Sequence, residues 1–501
     1  MLIVLFFAVL VAIGAVAAQD YAVSTDEPNM RELAEEAYEV VFRGGAWPES
    51  LARRYHGALV EFTIAVVEHA SGLRGIALLT MLRHVITFLF FVLGVGAFAA
   101  LCTRAFRDWR MGLLGAAFLI ISPRIFAHAF INSRDVPHLA LFTLAMAAVL
   151  RFLDRKTVGN AVLLGMAVAA DIAVRSMGIV LVPLAFAGFA MDMLQEKPSM
   201  GTVRRGAAAI GVFVVVSGML TIALWPLLWT NPIGNFLAAV RFASSFGGSG
   251  LYLGEQLTQM PWHYVFVWIG ISVPPLYTAL FLIGIPHCLC ATENSWQLRN
   301  RILMLLWFFV PMIPVIVGSG IYNEWRHLFF VYPAFLFIAL DGYHLLRRGS
   351  AYRRHAVTAA VMACLGWTGL WMWRNHPLQN LYFSIPTQYV QGNFDLDYWG
   401  LTSRKALEAI TASDKRPKIA LRVTNNITLI NAKTFFPGQI LYGTEADDRA
   451  DYIIDTSSDQ RYARILPPED LLTVIGPDGL RAASIYVGPA LKAQLEENAA
   501  F

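Results

Sequence analysis

The apolar segments of the chain constrain its fold more than any other feature. Runs of roughly 18 or more apolar residues recur from Met1 to about Trp373 and then stop. A run of this length can cross the hydrocarbon core of a bilayer as a helix. With 57% hydrophobic and 15% charged residues, the 501-residue chain carries more apolar surface than a water-soluble fold buries. The sequence therefore predicts a multi-pass membrane protein.

We predict about eleven transmembrane helices. Their approximate bounds are 1–18, 84–101, 111–127, 136–152, 160–174, 177–192, 207–228, 263–289, 302–318, 327–345 and 356–373. If the N-terminus lies in the cytoplasm, the loops richest in arginine and lysine all fall on the cytoplasmic side, as the positive-inside rule requires. These basic positions are Arg104, Arg107, Arg110, Arg155, Lys156, Lys197, Arg204, Arg205, Arg299, Arg301, Arg347, Arg348, Arg353 and Arg354. We expect this orientation in a bacterial inner membrane, with residues 1–373 as the membrane module.

The first span leaves one alternative open. Ala15–Val16–Ala17–Ala18 resembles a signal-peptidase site of small residues. A secretory signal begins with basic residues, however, and Met1–Val4 has none. We therefore favour a helix that is retained in the mature protein, or a start codon placed slightly late.

Residues 374–501 have the composition of a soluble domain, which the predicted orientation places in the periplasm. Short apolar runs typical of strands occur at 418–423, 428–430 and 452–454, a helical pattern covers 403–410, and turn signals occur at 437–438 and 477–479. The predicted fold class is thus mainly α, a polytopic membrane protein with a small C-terminal α/β domain. This domain contains no nucleophile elbow, phosphate loop or metal motif.

Charge and cysteine content exclude several classes of function. A formal net charge of +4 is too small to indicate a nucleic-acid partner, and the four cysteines lie in or beside apolar runs, so no disulfide framework is predicted. His287, Cys288 and Cys290 offer three ligands where a metal site needs about four. We predict no metal site; no cofactor is indicated, although a divalent ion remains open.

The first periplasmic loop, at about 20–82, is rich in acidic residues. Apolar residues at helical spacing between Met30 and Phe42 predict an amphipathic helix at the membrane interface. Asp26 or Asn29 could cap its first turn, because a side-chain oxygen there can accept from free backbone N–H groups.

Two acidic sites lie at the outer mouths of helices. One is Asp26–Glu27–Pro28, just after the first span, and the other is Asp135 in the stretch 132–137. A structural interpretation makes Asp26 a helix cap and Asp135 a cap or a partner of Arg134. Ionisable residues beside hydrocarbon are nevertheless functional candidates.

Three arginines face the same outer side, against the positive-inside trend: Arg134, Arg175 and Arg326. A guanidinium group presents several donors that suit phosphate oxygens, so the cluster indicates a lipid-phosphate site. The alternative is interfacial snorkelling, or pairing with Glu324 or Asp171. Further candidates are Arg31, Arg83 and His84.

Several short blocks resemble bacterial glycosyltransferase family 39, a GT-C membrane family related to protein O-mannosyltransferases and aminoarabinose transferases. The stretch 122–137, SPRIFAHAFINSRDVP, resembles its second outer-loop motif, and Asp26–Glu27–Pro28 resembles its first-loop acidic motif. Trp325–Arg326–His327 followed by Tyr332–Pro333 is similar to its late-span motif, and 376–400 is similar to the start of its C-terminal domain.

This resemblance implies a transferase that moves a hexosyl or pentosyl group from a polyprenyl-phosphate donor to a lipid, glycan or protein acceptor. By position, Asp26 corresponds to the proposed catalytic base and Asp135 to the second-loop carboxylate, with Glu27 beside Asp26 in the first motif. The family usually has lysine where Arg134 stands. The expected catalytic residues are Asp26, Glu27 and Asp135, and the expected lipid-phosphate ligands are Arg134, Arg175, Arg326, His327 and Arg83.

Two other functions stay open. A transporter or flippase would show charged or broken sites at the membrane midplane in repeated halves, and only Pro274–Pro275 in the eighth span favours this. A membrane scaffold without catalysis would tolerate the loss of both Asp26 and Asp135.

Overall fold

The computed structural model describes residues 2–50, 52–196, 199–245, 247–290, 295–317, 320–456 and 461–499. Its first seventeen helices form the membrane bundle and its loops: α1 Leu2–Ala17, α2 Glu27–Arg43, α3 Leu59–Ser71, α4 Ile76–Phe106, α5 Trp109–Ile120, α6 Pro123–Ile131, α7 Asp135–Asp154, α8 Val158–Ile172, α9 Leu181–Glu196, α10 Met200–Leu224, α11 Pro232–Ser245, α12 Tyr264–Ser272, α13 Pro275–Leu289, α14 Ser295–Phe309, α15 Ile313–Val317, α16 Tyr332–Leu346 and α17 Ala351–Arg374. A short hairpin, β1 Gly250–Tyr252 and β2 Glu255–Leu257, follows α11.

Seven helical segments within the described ranges are long and apolar enough to cross a membrane: 76–106, 135–154, 176–195, 200–224, 296–317, 326–346 and 351–374. Helices α5 and α6 together form an eighth candidate, and α1, α8 and α13 are shorter apolar helices. The protein is therefore a multi-pass membrane protein.

Two spans that we predicted as continuous helices are broken. The span at 111–127 bends by 72° between α5 and α6, and the span at 263–289 breaks between α12 and α13. A proline follows each break, Pro123 in the first and the Pro274–Pro275 pair in the second. Proline lacks the backbone N–H that would continue the hydrogen-bond ladder, and it disfavours helical geometry in the residue before it.

The first loop contains more helix than we predicted. The expected amphipathic helix is present as α2, which buries Met30, Leu33, Ala34 and Ala37 on one face. Helix α3 was not predicted, and α4 begins at Ile76 rather than near residue 84, so the loop ends earlier. Helices α2 and α3 pack against each other beside the end of the bundle.

The C-terminal domain is a five-stranded sheet with helices. Its elements are α18 Thr402–Ser413, β3 Lys418–Val423, α19 Ile427–Phe435, β4 Ile440–Gly443, β5 Tyr452–Asp455, β6 Leu471–Ile475, β7 Ala483–Val487 and α20 Pro489–Ala499. The strand order is β4-β3-β5-β7-β6; β3 is parallel to β4 and β5, whereas β7 is antiparallel to β5 and β6. The apolar run at 428–430 lies in α19, not in a strand, because residues of this segment are buried at helical rather than alternating spacing.

Residues 375–401 connect α17 to α18 and pack on the membrane bundle. Leu381, Val390, Phe394 and Trp399 belong to the same apolar core as the bundle helices, whereas the sheet has a core of its own with α18 and α19. This connector seats the C-terminal domain on the end of the bundle at which the first loop lies.

Candidate functional site

Four of the residues selected from the sequence converge at the end of the bundle that carries the C-terminal domain. Arg326, 300 positions from Asp26, donates from Nη1 to the Asp26 carboxylate at 2.8 Å. The same Nη1 lies 3.8 Å from Oδ2 of Asp135, and Oδ1 of Asp135 pairs with Arg175. The fold thus joins two carboxylates and two arginines from separate loops in one ion-pair network.

The turn between α6 and α7 fixes Asp135. Asn132 donates from its amide to Oδ2 of Asp135 at 2.8 Å and accepts from the Asp135 backbone N–H at 2.9 Å. Its amide also meets Nδ1 of His128 at 3.1 Å, and His128 accepts from the indole of Trp399 at 3.2 Å. The Asp135 carboxylate, only 2% exposed, is therefore held from several directions.

Asp26 occupies the N-cap position of α2, but its side chain makes no capping hydrogen bond. The helix-cap interpretation of this carboxylate is thus not what the structure shows; the side chain turns to Arg326 instead. It is 34% exposed, against 2% for Asp135. Of the two carboxylates, Asp26 is the one that a second molecule can reach.

Aromatic rings surround the Arg326 guanidinium. Its carbon lies 4.8 Å from the ring centre of Trp399, 5.8 Å from Tyr322 and 5.9 Å from Tyr398. His327 packs edge-on against Tyr322, with ring centres 5.2 Å apart. Cation–π contacts of this kind orient a guanidinium without neutralising it.

Arg134 lies beside the cluster, close enough to interact electrostatically with Arg175 and Asp135, and it contacts His56, which we did not select from the sequence. Nη2 of Arg134 lies 2.9 Å from Nδ1 of His56. Burial, with the charges of Arg134 and Arg175, lowers the pKa of His56 well below its usual value. A neutral His56 can accept the hydrogen bond from Arg134. No local sequence pattern marks His56, because its partner is 78 positions away.

The cluster carries an uncompensated positive charge, since three arginines face two carboxylates. In addition, the Nε–H groups of Arg134, Arg175 and Arg326 are buried and have no hydrogen-bond partner among the described residues. Leaving a buried donor unsatisfied costs about 1–3 kcal/mol, more for a charged group. An anion with several oxygens, such as a phosphate ester, has the charge and the acceptors that this cluster lacks.

The structure does not bring Glu27 into this cluster. Its carboxylate meets Nε2 of His84 at 3.0 Å and accepts from the Ser24 backbone N–H at 2.5 Å. Burial acts to raise the pKa of Glu27, but these two partners outweigh it and hold the pKa below its usual value. Glu27 is 6% exposed, and its two partners hold it at the start of α2.

Arg83 also lies in a separate, buried network. It pairs with Glu61, and its Nη1 lies 3.7 Å from Glu68. Glu68 also pairs with Arg31 at 3.5 Å, and Glu61 accepts from the hydroxyl of Ser133, next to Arg134. Arg83 is therefore compensated by carboxylates and supports the loop that carries Arg134 and Asp135.

The alternative pairing of the outer arginines with Glu324 or Asp171 does not occur. Glu324 pairs with Arg124, and Asp171 lies 2.8 Å from Nδ1 of His138. Burial raises the pKa of Glu324 to about 7, against the opposing effect of Arg124. The three arginines thus keep their unmatched charge.

At the opposite end of the bundle, His287 lies 2.6 Å from Asp341, and Arg301 lies 3.1 Å from the same carboxylate. Cys288 is buried and Cys290 is exposed. Within the described ranges, no group of three or more histidine, cysteine, aspartate or glutamate residues is arranged to hold a metal ion.

No protein-family profile matches the chain, and no curated protein matches it by sequence. Solved structures do match it. The structure of ArnT from Cupriavidus metallidurans bound to undecaprenyl phosphate superposes with a TM-score of 0.51 and 14% identity, over 97% of this chain and 98% of ArnT. The apo oligosaccharyltransferase of Archaeoglobus fulgidus has a TM-score of 0.53 and 11% identity, over 89% of this chain and 69% of the other. The structure of the same enzyme tethered to an acceptor peptide has a TM-score of 0.52 and 11% identity, over 90% of this chain and 69% of the other. The chain therefore shares its fold with ArnT and with the oligosaccharyltransferase.

Proposed function

We propose that the protein is a glycosyltransferase that moves a sugar from a polyprenyl-phosphate donor to an acceptor at the periplasmic face of a bacterial inner membrane. One observation carries the proposal: the accessible carboxylate of Asp26 lies 2.8 Å from Arg326, at the edge of a buried cluster with unmatched positive charge. A base beside an anion site is the pair of groups that transfer from a lipid phosphate requires.

The structural neighbours support the class of substrate. ArnT, which shares the fold over almost its whole length, was solved with undecaprenyl phosphate, itself a polyprenyl phosphate. The archaeal oligosaccharyltransferase was solved with a tethered acceptor peptide. A lipid-linked donor and a separate acceptor are therefore both compatible with this architecture.

The donor phosphate is assigned to Arg134, Arg175 and Arg326, with His327 beside them. Their buried Nε–H groups and the excess positive charge match the oxygens and charge of a phosphate ester. The polyprenyl chain would lie against the apolar helices, where each buried CH₂ contributes about 0.8 kcal/mol to binding. Because the donor has a charged phosphate and an apolar chain, its site is expected at a helix mouth, between the arginines and the apolar helices.

The reaction is a single displacement at the anomeric carbon. Asp26 takes the proton from the acceptor hydroxyl or amine as the acceptor atom bonds to that carbon. The bond from the anomeric carbon to the phosphate oxygen breaks, and its electron pair leaves with the polyprenyl phosphate. The arginines stabilise this developing negative charge. Attack from the side opposite the phosphate inverts the anomeric configuration.

The other predicted catalytic residues receive supporting roles. Asp135 holds Arg175 and Arg326 and is too deeply buried to meet an acceptor, so we assign it as a positioning residue. We assign Glu27 and Arg83 likewise, because both are engaged in buried ion pairs beside the cluster. Asp26 remains as the base.

The proposed orientation follows the positive-inside pattern, with the N-terminus in the cytoplasm and the C-terminal domain, at about 374–501, in the periplasm. The site would then face the periplasm, because the cluster and the C-terminal domain share one end of the bundle.

The purified protein, incubated with a panel of radiolabelled polyprenyl-phosphate sugars and a membrane extract as acceptor source, tests the proposal. We expect label to move from one of these donors to an acceptor with inverted anomeric configuration. Retained configuration would refute the single displacement, and no transfer from any donor in the panel would refute the proposed function.

A further inference from the structure

The segment that leads into Asp26, residues 19–25, is bound by the C-terminal domain and its connector. Arg404 in α18 donates to the backbone oxygens of Gln19 and Tyr21. His376 in the connector lies 3.0 Å from the Asp20 carboxylate. These contacts join residues more than 350 positions apart, so the tertiary fold sets the path of the segment.

Asn431 makes the most specific of these contacts. Its amide oxygen accepts from the Val23 backbone N–H at 2.8 Å, and its amide nitrogen donates to the Val23 carbonyl at 3.0 Å. The side chain is fully buried in α19, where it also donates to the carbonyl of Ile427 one turn earlier. One side chain thereby satisfies both polar groups of a backbone unit, three residues before Asp26.

The connector also contacts Arg326, the residue that pairs with Asp26. The carbonyl of Trp399 accepts from the backbone N–H of Thr25 at 3.0 Å and from its hydroxyl at 3.1 Å. The indole of Trp399 covers the guanidinium of Arg326 at 4.8 Å. Residues after α17 therefore contact both the segment that carries the carboxylate and the arginine that the carboxylate meets.

We propose that Asn431 is a positioning residue for Asp26, through which the C-terminal domain sets the place of the catalytic base. The inference rests on the proposed function and adds to it a task for the C-terminal domain. Without the two hydrogen bonds, the Val23 peptide unit is free to move, and Asp26 follows it within three residues of chain. A displacement of about 1 Å in a reacting group can cost roughly 100-fold in rate.

The substitution N431A removes both hydrogen bonds, and N431D keeps the acceptor but faces the Val23 carbonyl with a carboxylate. For both we expect kcat to fall about 10- to 100-fold. The donor KM should change little, because the arginines assigned to the phosphate are not contacted by Asn431. Rates are normalised to the fraction of protein that binds polyprenyl phosphate, which corrects for misfolded material.

Thr434→Val is the matched control. Thr434 is buried in the same helix, and its hydroxyl donates to the carbonyl of Ile430 within that helix. It should alter stability about as much as N431A but leave kcat of the folded fraction unchanged. Equal kcat in N431A and the wild type, or an equal fall in Thr434→Val, would overturn the inference.

Hydrogen exchange of residues 19–26 gives a readout that needs no activity. The amide of Val23 should exchange faster in N431A than in the wild type, while α2 beyond its first turn exchanges as before. Unchanged exchange of Val23 would overturn the inference alone. Absence of transfer by the wild type would instead refute the proposed function, and with it the positioning role.

Discussion

Asp135→Asn tests whether the buried carboxylate organises the arginine cluster. Asp135 faces Arg175 through one oxygen, and Asn132 and Arg326 through the other. Asparagine has the same shape as aspartate but only one carbonyl oxygen. Its NH₂ group must therefore face the N–H donors of Arg175, or those of Asn132 and Arg326. The cluster then holds three arginines against Asp26 alone.

The loss of unfolding free energy in Asp135→Asn can be estimated from the burial of its ion pair with Arg175. Removing one partner of a buried ion pair typically destabilises a protein by about 3–5 kcal/mol, because the remaining charge stays buried without compensation. Catalysis should also suffer, because Asp135 fixes Arg175 and Arg326, and a displacement of about 1 Å in a group of the site can cost roughly 100-fold in rate. We therefore expect both a large loss of unfolding free energy and a fall in kcat of about 100-fold.

Denaturant titration in mixed micelles and transfer assays on the folded fraction measure the two effects separately. Asp192→Asn is the control, because Asp192 is also buried and pairs with two basic residues, Arg299 and Lys156. Asp192 belongs to the ion-pair network of Asp154, since Arg299 pairs with both. Asp154 lies at the other end of α7, about 28 Å from Asp135. The control should lose stability but keep kcat. Full activity in folded Asp135→Asn would refute the organising role.

Three further outcomes are expected. Arg326→Lys keeps the charge but loses the planar guanidinium, with its buried Nε–H donor and its contact with Trp399, so the donor KM should rise about 10- to 100-fold; an unchanged KM would count against phosphate binding there. Because the pKa of His56 is lowered in the folded state, its neutral form contributes stability above pH 6.5 that is lost as the pH falls, and His56→Asn should abolish this dependence in unfolding titrations. Glu27→Gln should lower unfolding free energy by about 1–3 kcal/mol and affect transfer far less than Asp26→Asn; equal losses of transfer would restore a catalytic role to Glu27.

The main lines of the fold could be read from the sequence because bilayer thickness imposes a fixed length on apolar helices. The breaks in two spans were missed although Pro123 and Pro274 stood in them, since a proline inside a long apolar run also occurs in kinked but continuous helices. The run at 428–430 was assigned to a strand pattern because three residues are too few to separate the two periodicities.

The ion-pair cluster could be predicted from residues whose charge is costly in their surroundings. Asp26, Asp135, Arg175 and Arg326 are costly at helix mouths, and the fold brings these four together. His56 and Asn431 could not be found in this way, because an ordinary polar residue acquires its role only from a distant partner. Glu27 lies outside the cluster although it neighbours Asp26 in sequence, because its carboxylate meets His84 instead.

The most direct test of the central claim compares transfer and donor binding in Asp26→Asn and the wild type. We predict that the variant binds polyprenyl phosphate as the wild type does, since the three arginines remain, while transfer falls by several orders of magnitude. Glu39→Gln is the control, because Glu39 is a partly exposed acidic residue of α2 that pairs with Arg43; this variant should transfer normally. If Asp26→Asn transferred sugar as fast as the wild type, Asp26 would not be the base and the proposed mechanism would be wrong.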